Sequence, residues 1–188
     1  MQNPPRPFLY LRHGQTEWNK ERRVQGRTDI PLNETGLAQA AAAAERLSGV
    51  RVDRIIASPM KRAAQTAEVV AASKGLPISW DDRLRERFFG AFDGMLLTEI
   101  RDQLGYGDGL SIWSLNGPDS EPMEDALART LECMSEHLAD SDDQVLFVAH
   151  GALLALLAEH LFGERLDSGN AIPWSLAEGS DGWHAEAV

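Results

Sequence analysis

Two histidines in this chain stand where a reactive group would have to stand. His13 lies between Arg12 and Gly14 directly after the apolar run Phe8-Leu9-Tyr10-Leu11, and His150 precedes Gly151 directly after the run from Gln144 to Ala149. Both runs read as buried strands, so both histidines fall at a strand's carboxyl end, where open α/β sheets place their ligand crevices. An imidazole held beside a guanidinium is a nucleophile inside an anion site. Gly14 lets the backbone turn sharply beside a ligand, and a helix starting at Gly151–Ala152 offers N–H groups to an anion. The other use of two such histidines is metal ligation. Their neighbours are not carboxylates or cysteines and no metal-ligand spacing is present, so no metal is expected.

The elements that must position these groups follow from the punctuation of the sequence. Thr16 to Pro31 mixes Asn19, Gly26 and Pro31 without apolar periodicity and reads as a loop. Asn33 is a suitable N-cap for a helix over roughly Glu34 to Leu47, stopped by Gly49. Arg54 to Ala57 reads as a second strand, and Ser58-Pro59 as a helix start, with serine as N-cap and proline at the first helical position. Met60, Ala63, Ala64, Ala67, Val70 and Ala71 then recur at helical spacing as far as Lys74-Gly75. Pro77 to Trp80 forms a short third strand. A helix is expected over about Met95 to Leu104, and an amphipathic one over Met123 to Leu138 with His137 facing water. An apolar helix from Ala152 to Leu161 follows His150, and the tail, Ala171–Leu176 and Trp183–Val188, reads as a β-hairpin. Between the helices, the glycine-punctuated stretch with Leu110, Ile112 and Trp113 makes about 95–122 a candidate lid; a hydrophobic loop tucked against the core fits it equally.

Leu11-Arg12-His13-Gly14-Gln15-Thr16-Glu17-Trp18-Asn19 resembles the signature of the histidine phosphatase superfamily, also called the phosphoglycerate mutase-like family. Three later segments carry the same resemblance: Ser58 to Ala67, Leu84 to Gly94, and Val148 to Gly151. It extends over nearly the whole chain. The resemblance implies a three-layer α/β/α fold with a mostly parallel sheet, which the strand–helix alternation suggests independently. It gives Arg62 and His150 contacts to a phosphoryl group and makes Glu86 the proton donor; taken alone, Arg62 would suit a solvated helix face. Asp93 stands where the family more often has glutamate. Substrate contacts are expected at Asn19, Gln25, Arg27, Trp113, Gly151 and Asn170.

One domain accommodates all 188 residues. A single cysteine, Cys133, excludes an intramolecular disulfide and reads as a small buried hydrophobe. With no apolar stretch long enough to span a bilayer and no secretory pattern, a cytoplasmic enzyme without membrane association is expected. The net charge of −11 is uneven: residues 1–107 carry 16 Lys/Arg against 13 Asp/Glu, and residues 108–188 carry 2 against 16. A local cationic pocket on an acidic protein suits a small anionic metabolite and argues against nucleic acid. The acidic half fits a solvated, solubilising face as well.

Phosphoryl transfer to a histidine needs an unprotonated ring nitrogen in line with phosphorus and donors around the equatorial oxygens. His13, Arg12, Arg62 and His150 supply these, and the arginines favour the neutral ring. Glu86 can protonate the leaving alkoxide if the substrate's charge and the apolar Phe88 and Phe89 hold its proton on. The expected activity is therefore phosphomonoester hydrolysis through a phosphohistidine, independent of cofactor and metal. The alternatives are mutase-type transfer, for which Arg22, Arg23 and Arg27 could bind a second phosphate, and a non-catalytic phospho-ligand-binding protein. Substrate identity and oligomeric state are not legible.

Overall fold

The computed structural model describes residues 1–105, 115–139, 142–166 and 168–188. Its strands are β1 (Phe8–Arg12), β2 (Arg54–Ala57), β3 (Ile78–Trp80), β4 (Val145–Ala149), β5 (Pro173–Gly179) and β6 (Gly182–Ala187). The helices are α1 (Glu17–Lys20), α2 (Glu34–Arg46), α3 (Lys61–Lys74), α4 (Leu97–Leu104), α5 (Met123–Leu138) and α6 (Gly151–Phe162). One sheet runs in the order β3-β2-β4-β1-β5-β6. Its first four strands are parallel, while β5 pairs antiparallel with β1 and then with β6.

Alternation along the strands explains the layers. Phe8, Tyr10 and Phe147 point into a cluster with Leu153, Leu154 and Met134 of α5 and α6. Leu9, Leu11, Leu146 and Val148 point the other way, against Ala43, Ala67 and Val70 of α2 and α3. Because helices cover both faces, the central strands are apolar throughout instead of alternating apolar with polar. The three-layer α/β/α architecture is thus present.

Register delivers the functional groups. Arg12 pairs with Ala149, and Ala57 with Val148, so β1, β2 and β4 end together. Immediately beyond, the His13 N–H donates to Ala149 O at 3.0 Å and the Ser58 N–H to Val148 O at 3.0 Å. His13, Ser58 and His150 consequently share one edge of the sheet.

Several local expectations are corrected. The stretch expected as a loop contains the one-turn helix α1, because Thr16 and Asn19 form a reciprocal capping box. Ser58 does not cap α3; Met60 occupies the N-cap position without a side-chain hydrogen bond. His137 does not simply face water: its ring contacts Asp81 Oδ2 and the Arg54 guanidinium, each at 3.2 Å. At Gly14 glycine is required by close approach, since a Cβ there would lie 2.4 Å from Gly36 O. The centre of the candidate lid, with Leu110, Ile112 and Trp113, lies outside the described residues.

Candidate active site

His13 is 2% exposed and held on both sides. Its Nδ1 lies 2.7 Å from Gly14 O, an acceptor, so Nδ1 carries the ring proton. Nε2 is therefore a lone pair, and it accepts from Arg62 Nε at 3.2 Å. The surrounding backbone is fixed as well. Thr66 Oγ1 accepts the Gly14 N–H and donates to Arg62 O, while Asn170 Nδ2 donates to His13 O at 3.1 Å. Burial, with the Arg62 and Arg12 charges added, lowers the His13 pKa well below the usual histidine range, so the ring is neutral at physiological pH.

Arg62 is fully buried on the first turn of α3, its guanidinium held by Gly26 O at 2.8 Å and Thr28 O at 2.9 Å. Burial lowers its pKa to about 10, which leaves it charged. Glu86 is 6% exposed, with Oε1 accepting from the Arg87 N–H at 2.9 Å and Oε2 from the Ala152 N–H at 3.3 Å. Its pKa is raised by burial against the opposing pull of Arg62, which favours the protonated acid. The start of α6 thus serves the carboxyl group. His150 is fully buried, its ring edge-on to His13 with centroids 5.3 Å apart, and its pKa is lowered well below the usual value, first by burial and then by Arg62.

A cavity of about 40 Å³ is lined by Arg12, His13, Arg62 and Glu86, with Asn19, Arg23, Gln25, Gly26 and Phe89 around them. A single water needs about 10–15 Å³ by the same measure, so the space suits one phosphoryl-sized group. Among the expected substrate contacts, Asn19 and Gln25 line this cavity, and Gln25 Oε1 is buried without a partner. Asn170 does not line it but holds the His13 carbonyl. Arg27 turns aside, with Nε on Glu86 O at 3.3 Å and Nη2 on Glu121 at 3.2 Å. Gly151 is not in the lining either, and Trp113 lies outside the described residues.

Of the remaining lining residues, Arg23 was read from the sequence only as part of a second-phosphate clamp and Phe89 as apolar cover for Glu86, while Gly26 was not singled out. Arg23 had a signal, its place in a cluster of basic residues, but that cluster also contains the exposed Arg22. Asp93 proves closer to the chemistry than its separation in sequence suggests. Its carboxylate accepts the Phe89 and Arg27 N–H groups, so it ties the segment bearing Glu86 to the loop whose carbonyls hold Arg62. Asp81, Cys133 and His137 form a grouping of metal-ligand types away from the cavity lining. There the Asp81 carboxylate is already forked by Arg83 at 2.7–3.3 Å.

This geometry has relatives. Residues 8–180 match the histidine phosphatase superfamily (branch 1). The chain is 38% identical over 151 residues to the uncharacterized phosphatase PhoE of Bacillus subtilis (strain 168), covering 79% of this chain and 74% of that one. It is 34% identical over 163 residues to the probable phosphoglycerate mutase GpmB of Enterobacter sp. (strain 638), covering 82% and 74%. Among solved structures, a mycobacterial glucosyl-3-phosphoglycerate phosphatase complexed with VO3 superposes with a TM-score of 0.83 at 30% identity, covering 97% of this chain and 98% of that one.

Proposed function

Because the chain belongs to the histidine phosphatase superfamily (branch 1), we propose that it hydrolyses small phosphomonoesters through a phosphohistidine on His13 Nε2. The observation that carries this reading is the His13 tautomer. Nδ1 is committed to Gly14 O, so the lone pair is on Nε2, where it accepts from Arg62 beside a cavity lined by Arg12, His13 and Arg62. When a phosphoryl group enters, the Arg62 donors shift to its oxygens and release Nε2 for in-line attack. The N–P bond forms as the P–O bond to the leaving group breaks, and the Glu86 carboxyl proton passes to the departing alkoxide. Water then attacks phosphorus, the Glu86 carboxylate takes its proton, and the N–P bond breaks to release phosphate. Arg12 and Arg62 carry the positive charge this reaction needs, so the reading calls on no metal or other cofactor.

Of the three relatives, two are named as phosphatases and one as a probable mutase. The mutase reading has in its favour that Arg23 lines the cavity, although its guanidinium is bonded to Gly94 O and Glu21. The substrate class that fits is a phosphorylated metabolite that places one phosphoryl group in this cavity. Turnover of p-nitrophenyl phosphate, followed by a panel of phosphorylated metabolites, tests the proposal. Steady release of inorganic phosphate is expected. Binding of these compounds without release would instead identify a phospho-ligand-binding protein.

A further inference from the structure

Ser58 lies at the end of β2, fully buried, and its hydroxyl has two partners. It accepts the Met60 N–H at 3.4 Å, and it lies 2.8 Å from His150 Nε2. The Met60 contact uses a lone pair and leaves the hydroxyl proton to be placed. A buried donor without an acceptor costs about 1–3 kcal/mol, and Nε2 is the acceptor within reach. If Ser58 donates there, the neutral imidazole carries its proton on Nδ1. That nitrogen is itself buried and has no hydrogen-bond partner. The other polar groups of His150 are satisfied, since Tyr10 Oη donates to its carbonyl at 2.9 Å and accepts from its N–H at 3.3 Å. One unmatched N–H thus remains, on the ring packed edge-on against His13.

We infer that Ser58 is a positioning residue: its hydroxyl donates to His150 Nε2 and fixes the Nδ1–H tautomer, so that His150 offers a hydrogen-bond donor to a phosphoryl group on His13. The alternative tautomer would turn a lone pair toward anionic oxygens and repel them. The part concerning the phosphoryl group rests on the proposed hydrolysis; the tautomer does not.

Two measurements separate these parts. Long-range nitrogen–proton correlation spectra of protein labelled with ¹⁵N-histidine, assigned with His150→Gln, read the tautomer directly. The wild-type chain is expected to show His150 protonated on Nδ1 and bare on Nε2, and Ser58→Ala to populate the other tautomer. Ser58→Ala should also lower kcat for p-nitrophenyl phosphate roughly ten- to a hundredfold, the scale on which groups that orient a histidine act, with Ser58→Thr recovering part of the loss. Nε2–H in the wild-type chain overturns the inference, even if Ser58→Ala fails to fold. So does a Ser58→Ala variant with unchanged tautomer and unchanged kcat. The expected tautomer in a chain without phosphatase activity would retain Ser58's role and remove the proposed function instead.

Discussion

At the scale of single residues, burial in the candidate site shifts protonation equilibria toward the neutral forms. Burial raises the Glu86 pKa toward the protonated acid against the pull of Arg62, and its use as a proton donor depends on the leaving group. Glu86→Gln should therefore slow hydrolysis of an alkyl phosphate by about 10²-fold or more, the range of general acid catalysis. Nitrophenolate leaves without a proton, so p-nitrophenyl phosphate should lose less than tenfold; equal losses in parallel kcat measurements would remove Glu86 from that role. His13 and His150 are shifted in the opposite sense, toward the neutral ring. An unfolded chain protonates its histidines near pH 6.5, whereas these two resist protonation when folded. Their contribution to stability is thus complete above that pH and declines as pH falls toward their lowered folded values. Thermal midpoints measured from pH 7.5 to 5 should fall more steeply for the wild-type chain than for a His13→Gln/His150→Gln double variant. Parallel slopes would mean that the buried rings are not neutral. Arg12, His13, Arg62, Glu86 and His150 were legible as candidates because each stands in a local motif; the structure brings the first four around one cavity and packs His150 edge-on against His13, outside the lining. The link between Ser58 and His150, 92 positions apart, was not legible, because serine before proline is equally a helix cap.

At the scale of elements, the strand register places the site, and the loop after β1 is fixed by its contact with α2. Gly14 and Gly36 meet there, and a Cβ on Gly36 would lie 2.0 Å from Gln15 O. Helix propensity alone predicts that Gly36→Ala stabilises α2 by about 1 kcal/mol. The backbone contact opposes this with an overpacking cost of about 1–3 kcal/mol, so we expect net destabilisation and a lower kcat/KM as Gln15 and its neighbour His13 shift. Urea unfolding alongside activity checks both, and a more stable, fully active variant would contradict the packing argument. Apolar runs and caps made most of the helices and strands legible within a residue or two, as with α5 over Met123–Leu138. The turn of α1 was hidden because its stability comes from the reciprocal Thr16–Asn19 cap rather than from an apolar face.

At the scale of the whole molecule, the cationic residues divide between the cavity and the scaffold in a way that composition does not show. Arg129 forks Glu121 at 2.7 and 2.9 Å and also reaches the carbonyls of Arg83 and Arg85. Arg27 joins the same carboxylate, so neither is free to clamp a second phosphate. The chain should accordingly fail to interconvert 3-phosphoglycerate and its 2-isomer, with or without 2,3-bisphosphoglycerate; efficient isomerisation in a coupled assay would show that Arg23 or its neighbours provide that clamp. The excess of basic residues lies in the half that holds Arg12, His13 and Arg62, but it does not show which arginines are spent on structure. The central claim, a covalent intermediate on His13, is tested most directly by rapid acid-free quenching during turnover, followed by measurement of acid-labile phosphate on the protein. We predict up to one phosphate per wild-type chain, mapping to His13 Nε2, with none on His13→Asn and no turnover by that variant; undiminished hydrolysis by His13→Asn would contradict the account.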